Sequence, residues 1–351
     1  MFSFILALIL AFTPRTYAWN VEKFTNLVIF GDSWSDAGQL HYFISHNGSV
    51  PPVGWINNGN TPAADSSRPW PSYVGMYTGA EIHNYTVAGA VYSNDLTPRI
   101  AQPTGKLFPD VAGYQVPAYL ADRQYTYTNG TKFMDAPPES TVYAIMIGRN
   151  DVGAAGYLTD SQTIGTTITD YIDCVFQQID RLFQHGARNF IIHTLGAMYL
   201  TPQYAMLNKG GLKATQYWSD KYSNITGVSQ RMLEQVALVN TVYKARLPLE
   251  MGFQKKYPGA QFALVDLDSL IKDIHKQPST YLNGTSPYNV TGYINHCSLS
   301  GTDCFLYDYD NRDAFMWYDE LHPSEQTWRG YANIFVDIIN GRSKWATYIS
   351  A

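Results

Sequence analysis

The chain has 351 residues, of which 45% are hydrophobic and only 15% are charged. That length and apolar content suffice for one large hydrophobic core with elaborated loops. A net charge of −5 supplies no basic surface for a phosphate backbone, so nucleic acid is not expected as a partner.

The first 18 residues have the pattern of a secretory signal peptide. An apolar run from Phe2 to Phe12 precedes the small-x-small tripeptide Thr16-Tyr17-Ala18, which offers a cleavage site, although no Lys or Arg precedes the run. The run is too short to cross a bilayer, and the alternatives are an N-terminal anchor or a buried helix. We therefore expect a secreted, extracellular protein with no stable membrane association, whose single domain spans residues 19–351.

The next stretch, Asn26 to Gly38, has the sequence NLVIFGDSWSDAG. Its apolar residues Leu27 to Phe30 predict a short strand that is buried on both faces and ends at Gly31. Asp32 and Ser33 then fall where a parallel strand gives way to a helix. Ligands of open α/β sheets bind at the carboxyl ends of the strands, so Ser33 is a candidate site residue. The same residues also suit a plain turn that caps a helix.

Four further strands alternate with helices along the rest of the chain. The predicted strands are 82–87, 141–147, 190–194 and 261–267, the predicted helices are 36–45, 70–77, 163–185, 228–247 and 323–339, and the segments 94–127 and 269–305 are predicted to be irregular. This alternation predicts an α/β fold: a three-layer α/β/α sandwich with a central five-stranded parallel sheet and long loop insertions.

Two polar or glycine-containing segments follow the second and third strands. Gly89 lies in the segment NYTVAGA, and Asn150 lies in the segment GRND. Ester hydrolysis needs N–H donors at the developing oxyanion, and we assign that role to the backbone N–H groups of Ser33 and Gly89 and to the side-chain amide of Asn150. Taken alone, Gly89 could equally be a packing glycine and Asn150 a turn-capping residue.

The candidate base is His322, in the segment WYDELHPSEQTW just before the last predicted helix. Asp319 stands three residues earlier, and in a turn of that length its carboxylate can reach Nδ1 of the histidine and fix the tautomer, as in a triad. The alternative is that both residues merely precede a helix capped by Ser324. The other seven histidines have no comparable context.

Together these segments resemble the four blocks of the SGNH hydrolases, also called the GDSL esterase/lipase family. The matching blocks are Gly31-Asp32-Ser33, Gly89 in its segment, Gly148-Arg149-Asn150-Asp151 and Asp319-Glu320-Leu321-His322-Pro323. The resemblance implies a flavodoxin-like SGNH fold, a Ser33–His322–Asp319 triad, and an oxyanion hole of Ser33, Gly89 and Asn150. Trp34 replaces the leucine usual in the first block, a change that leaves the mechanism intact and could reshape the acyl pocket.

The phrases FGDSWSDAG, WPSYVGMYTGAEIHNYTVAGAVYSN and DELHPSEQT are similar to secreted fungal acetylesterases of carbohydrate esterase family 16. That likeness implies removal of acetyl groups from sugars or xylo-oligosaccharides through an acyl-enzyme, with no metal or organic cofactor. The sequence does not determine the oligomeric state, for which a monomer is our expectation. Two alternatives remain: a lipase or phospholipase acting on longer acyl chains, and an inactive member that binds glycan. The sequence has no clear amphipathic lid, which argues against a lipase. Every proposed catalytic position is filled, which argues against an inactive member.

Cysteines and sequons agree with export. Cys297 and Cys304 enclose a short polar loop and are expected to pair in an oxidising compartment, whereas Cys174 lies in a helical pattern and is expected to be a buried thiol. Asn84 heads one of six N-x-[ST] sequons, but its closeness to the second block argues against a sugar there. The other candidates for N-glycosylation are Asn47, Asn129, Asn224, Asn283 and Asn289.

Overall fold

The structure is a computed structural model that describes residues 19, 21, 23–57 and 68–350. The predicted signal peptide, residues 1–18, lies outside the described residues. Among the residues that are described, no helix has the length and apolar content needed to span a membrane.

Strands and helices alternate through the described residues. The strands are β1 (Asn26–Gly31), β2 (Glu81–Asn84), β3 (Ile100–Ala101), β4 (Lys106–Leu107), β5 (Thr141–Met146), β6 (Asn189–His193), β7 (Gln261–Val265), β8 (Asn289–Tyr293), β9 (Asn295–Cys297), β10 (Cys304–Leu306), β11 (Phe315–Trp317) and β12 (Ala346–Ser350). The α-helices are α1 (Gln39–Ser45), α2 (Trp70–Thr78), α3 (Val116–Gln124), α4 (Ile168–Gln184), α5 (Ile225–Pro248), α6 (Leu267–Lys276) and α7 (Glu325–Ile339).

The central sheet has the order β12-β7-β6-β5-β1-β2. Its five predicted strands are present and mutually parallel, which confirms the predicted α/β architecture. The prediction of five strands was incomplete, however, because β12 pairs antiparallel with β7 at the edge of the sheet. Every residue of β1, β5 and β6 is buried, as expected for strands covered on both faces.

Helices cover the two faces of the sheet. On one face, His193 of β6 packs beside Trp70 of α2 and Phe335 of α7. On the other face, Ile192 lies in an apolar cluster with Val175 of α4 and with side chains of α5. Neighbouring residues of one strand thus point to opposite helical layers, which makes the fold a three-layer sandwich.

Two helices lie where irregular chain was predicted. Helix α3 has Pro117 in its first turn, where a proline costs little because the missing N–H has no helical partner there. Helix α6 begins after Asp266, which accepts a hydrogen bond from the Ser269 N–H, and it buries Leu267, Leu270, Ile271 and Ile274 along one stripe. Both helices therefore follow ordinary rules that the prediction did not apply.

Some predicted boundaries were also wrong. Strand β2 ends at Asn84 rather than at residue 87, because the Asn84 side chain turns the backbone by accepting hydrogen bonds from Thr86. Helix α4 begins at Ile168 rather than at residue 163, because Thr167 and Asp170 form a reciprocal capping box there. Ile164, which was counted in the apolar stripe, is fully exposed.

The cysteine predictions are confirmed. A disulfide joins Cys297 to Cys304 across the antiparallel pair β9–β10, and Cys174 is a buried free thiol. Burial raises the pKa of Cys174 to about 12, which keeps the thiol protonated and unreactive at neutral pH.

The sequons differ in accessibility. Asn84 uses its amide nitrogen to donate a 2.7 Å hydrogen bond to the Ser35 carbonyl, so that nitrogen is engaged in the fold. Asn289 is half-buried and accepts bonds from the backbone of its own turn. The sequon asparagines that are exposed are Asn47, Asn129, Asn224 and Asn283. Glycosylation at any of these positions stays a prediction.

Candidate active site

Ser33 lies two residues beyond the end of β1, on a rigidly held turn. The side-chain amide of Gln115 both accepts from the Gly31 N–H and donates to the Gly31 carbonyl, each over 2.8 Å. A Cβ at Gly31 would lie 2.5 Å from the Met146 carbonyl oxygen, so only glycine permits this close approach of β1 to β5. The turn that presents Ser33 is therefore fixed from both sides.

Ser33, His322 and Asp319 meet at the carboxyl end of the sheet. His322 Nε2 lies 2.8 Å from Ser33 Oγ, although the two residues are 289 positions apart in sequence. On the other side of the ring, Nδ1 lies 2.9 Å from both carboxylate oxygens of Asp319. We call this arrangement the relay; its geometry is that of a nucleophile, a base and an orienting acid.

The residues 319–322 form a tight turn, called here the catalytic turn. Asp319 Oδ1 accepts the backbone N–H groups of Leu321 and His322 over 2.8 and 2.7 Å. Burial alone would raise the pKa of Asp319, but the neighbouring His322 and these hydrogen bonds outweigh it and hold the pKa below its ordinary value. Asp319 therefore remains a carboxylate beside the imidazole, where it stabilises an imidazolium. Ser324, which the alternative to a catalytic role named as a helix cap, does cap α7 by accepting from the Thr327 N–H.

The three predicted oxyanion donors lie on adjacent loops. Gly89 has φ +88°, and a Cβ there would strike the Phe108 ring at 2.4 Å, so glycine is required. Asn150 donates one amide hydrogen to the Ala90 carbonyl over 2.7 Å, which places its side chain beside the residue that follows Gly89. Within the described part of the chain, the backbone N–H groups of Ser33 and Gly89 make no hydrogen bond. All three residues are half-buried, so their N–H groups can donate hydrogen bonds to an oxygen atom of a ligand.

Two buried carboxylates hold the loops that carry these donors, and the sequence prediction missed both roles. Asp36 accepts the N–H of Gly38 at the start of α1 and the N–H of Ala88, 52 residues away. Asp151 accepts the N–H of Tyr92 and the hydroxyl of Thr97. Burial raises the pKa of Asp36, and it raises that of Asp151 to about 7, despite these bonds. Because only 15% of the residues are charged, an acidic residue among apolar neighbours was the signal that could have revealed these roles.

A buried ion pair joins the first and third blocks. The guanidinium of Arg149 bonds to Asp32 Oδ1 and donates to the Met146 carbonyl over 2.9 Å. The same guanidinium lies 4.2 Å from the centre of the Trp34 ring, which in turn packs edge-on against Trp328. Trp34 is thus a buried support for Arg149 that also lines the site, rather than only a shaper of an acyl pocket.

A cavity of about 360 Å³ opens beside Ser33. Part of its wall is an excursion of the chain over residues 201–222, called here the cavity loop. Most lining side chains are polar or phenolic; those of this kind are Ser33, Arg99, Arg149, Asn150, Thr159, Ser161, Gln203, Tyr204, Gln216, Tyr217, Ser219, Asp220 and Tyr222. Such a lining suits a small, hydroxyl-rich ligand better than a long hydrocarbon chain.

Tyr217, which the sequence did not single out, completes the surroundings of Asp319. Its hydroxyl donates a 2.7 Å hydrogen bond to Asp319 Oδ2, and its ring meets the His322 imidazole edge-on at 5.5 Å. No local pattern joins residues 102 positions apart, so sequence alone could not reveal this contact. The described residues contain no group of three or more His, Cys, Asp or Glu side chains that could hold a metal ion.

Comparison with known proteins identifies the family. Residues 27–335 match the family model described as GDSL-like lipase/acylhydrolase. The chain is 38% identical to an acetylesterase of Hypocrea jecorina over 93% of this chain and 92% of that protein, and 24% identical to a GDSL esterase/lipase of Arabidopsis thaliana over 85% and 80%. A crystal structure of an acetylxylan esterase from Geobacillus stearothermophilus aligns with TM-score 0.40 and 13% identity over 92% of this chain and 96% of that one. The chain belongs to the GDSL-like lipase/acylhydrolase family and is a carboxylic ester hydrolase.

Proposed function

We propose that this protein is a secreted serine esterase that removes acetyl groups from hemicellulose-derived sugars or oligosaccharides. The observation that carries the proposal is the 2.8 Å approach of His322 Nε2 to Ser33 Oγ, with Asp319 bound to the far side of the ring. The 38% identity to an acetylesterase supports acetyl as the acyl group.

In the first half of the reaction, His322 Nε2 takes the hydroxyl proton as Ser33 Oγ attacks the acetyl carbonyl carbon. The carbonyl oxygen becomes an oxyanion that accepts hydrogen bonds from the N–H groups of Ser33 and Gly89 and from the Asn150 amide. When the tetrahedral intermediate collapses, the bond to the sugar oxygen breaks and His322 gives its proton to that oxygen. The products are the deacetylated sugar and an acetylated Ser33.

In the second half, water replaces the sugar. His322 Nε2 takes a proton from the water as its oxygen attacks the acetyl-enzyme, and the proton then returns to Ser33 Oγ as acetate leaves. Asp319 stays ionised throughout and stabilises the imidazolium formed in each half. Each half thus reuses the same three side chains with reversed proton transfers.

The cavity favours a sugar over a long acyl chain. Its polar lining, including Arg99, Gln203 and Asp220, offers partners to hydroxyl groups, and its aromatic side chains Tyr217 and Trp218 offer flat surfaces to a sugar ring. A long acyl chain would need a continuous apolar groove. Export is supported by the Cys297–Cys304 disulfide, since such bonds persist in oxidising compartments.

The proposal is tested by the kinetics of Ser33→Ala on nitrophenyl acetate and on acetylated xylo-oligosaccharides. We expect kcat to fall by about 10⁴-fold or more on both substrates. The matched control is Ser279→Ala, which removes a hydroxyl from an exposed serine on the 3₁₀ turn Pro278–Thr280 and should keep wild-type rates. Wild-type-like hydrolysis by Ser33→Ala would reject the assignment.

The same assay with a series of acyl lengths separates the alternatives. We expect acetyl esters to be hydrolysed with a higher kcat/KM than octanoyl esters. A strong preference for octanoyl would instead identify a lipase, and retention of glycan without ester hydrolysis would identify an inactive binding protein.

A further inference from the structure

We propose that Tyr217 is a positioning residue of the relay, and that through it the cavity loop couples occupation of the cavity to the alignment of Asp319 and His322. This inference rests on the proposed function of the relay. It assigns a role to a side chain that lies outside the four sequence blocks.

Tyr217 contacts the relay at two points and the cavity at a third. Its hydroxyl donates to Asp319 Oδ2 over 2.7 Å, the oxygen that also lies 2.9 Å from His322 Nδ1. Its ring meets the imidazole edge-on, and the same residue lines the cavity beside Ser33. A substrate in the cavity therefore meets the side chain that orients the acid of the relay.

The hydroxyl is suited to be a permanent donor. Burial and the negative charge of Asp319 raise the pKa of Tyr217 well above its ordinary value. The phenol consequently stays protonated at neutral pH, and it donates a hydrogen bond to the Asp319 carboxylate. Asp319 Oδ1 is held by the backbone of the catalytic turn, so Tyr217 is the partner that fixes Oδ2 besides His322.

Further bonds fasten the cavity loop to the catalytic turn. The Gln203 N–H donates to the Glu320 carbonyl over 2.8 Å, and the Gln216 side chain donates to Glu320 Oε2 over 2.9 Å. Within the loop, Lys221 Nζ donates to the carbonyls of Gln203 and Leu212 over 2.5 and 2.7 Å. The loop is thus tied to the two residues before Leu321, and a shift of the loop is transmitted to the acid of the relay.

The test is the variant Tyr217→Phe, which keeps the ring and removes only the hydroxyl. We expect kcat on nitrophenyl acetate to fall about tenfold, as for loss of a hydrogen bond to a charged group, while KM changes less than twofold. The apparent pKa of the acidic limb of kcat/KM should rise, because the unbonded carboxylate attracts the imidazolium proton more strongly. Glu320 and Tyr293, which face Asp319, and Tyr318 and Arg99, which face Tyr217, are titratable or charged groups that this substitution leaves unchanged.

The matched control is Tyr199→Phe, which also removes a phenol that donates to a carboxylate, that of Asp268 over 2.8 Å, but which does not line the cavity. That variant should keep the wild-type kcat and pH profile. In the Asp319→Asn background, the further substitution Tyr217→Phe should cost less than twofold, because the carboxylate on which it acts is gone.

A wild-type kcat and pH profile in Tyr217→Phe would overturn the inference. So would an unchanged tenfold loss in the Asp319→Asn background, since that loss would then come from packing. These outcomes are distinct from failure of the proposed function, which would appear as wild-type activity in Ser33→Ala.

Discussion

The relay and the cavity loop contact each other beside the same cavity but are held in different ways. Ser33 follows a strand in which every residue is buried, and Asp319 and His322 are 1% and 5% exposed. The cavity loop contains neither an α-helix nor a strand of the main sheet, and Tyr217 and Tyr222 are 38% and 50% exposed. The relay is fixed by the core. The cavity loop buries Tyr204 and Trp218 in that core, but its more exposed part is held to the catalytic turn by a small number of hydrogen bonds.

This difference separates two tasks that one site has to perform. Bond breaking needs atoms placed within a few tenths of an ångström, and burial among packed neighbours supplies that precision. Substrate choice needs a wall that can vary, and loops vary at little cost to the core. Substitutions in the relay should therefore change kcat by orders of magnitude, and substitutions in the cavity loop by about tenfold or less.

The largest effect is expected from His322→Gln, which removes the base without changing the size of the side chain greatly. We expect kcat on nitrophenyl acetate to fall by about 10⁴-fold or more, because His322 is the base that lies within hydrogen-bond reach of Ser33 Oγ among the described residues. The control is His41→Gln on the exposed face of α1, which should keep the wild-type rate. A loss of kcat below tenfold in His322→Gln would be no larger than the loss expected in the cavity loop. That result would contradict the difference between the two regions.

A smaller effect is expected from Asn150→Ala at the boundary between the regions. Loss of one oxyanion donor should lower kcat by about 10²- to 10³-fold and leave KM nearly unchanged. The control is Asn94→Ala, because Asn94 also donates its amide to a backbone carbonyl, that of Phe108, but does not line the cavity. Equal losses in the two variants would show that Asn150 acts only by supporting its loop.

The smallest effect concerns Asp151, which holds a loop beside the oxyanion donors and takes no part in the chemistry. The pKa of Asp151 is raised from 3.8 to about 7, chiefly by burial, so between these values the folded chain binds more protons than the unfolded chain. The contribution of Asp151 to stability is therefore full below pH 3.8 and is lost as the pH rises through about 7, with a slope of at most about 1.4 kcal/mol per pH unit.

The substitution Asp151→Asn should remove this pH dependence. We expect the free energy of unfolding in urea to fall less between pH 5 and pH 7 in the variant than in the wild type. Asp135→Asn changes an exposed carboxylate and should keep the wild-type slope. Parallel pH profiles for Asp151→Asn and the wild type would contradict the assigned protonation of Asp151.

The parts of the molecule that sequence could predict are those encoded by neighbouring residues. Four of the five parallel strands contain short apolar runs, β2 with its sequence EIHN being the exception, and the contact between Asp319 and His322 is made within one turn. Strand β12 was missed although Thr347, Tyr348 and Ile349 favour strands, because its place in the sheet depends on pairing with the distant β7. The Asp32–Arg149 pair and the Tyr217–Asp319 bond were missed for the same reason, since each joins residues more than 100 positions apart.

The central claim, that Ser33 is the nucleophile activated by His322, is tested most directly by covalent labelling. The protein would be treated with an alkyl fluorophosphonate, digested and analysed by mass spectrometry, beside His322→Gln as the control. We predict one adduct on the peptide containing Ser33, formed in step with loss of esterase activity and nearly absent in the variant. Full loss of activity with the adduct on another residue, and Ser33 unmodified, would contradict the account.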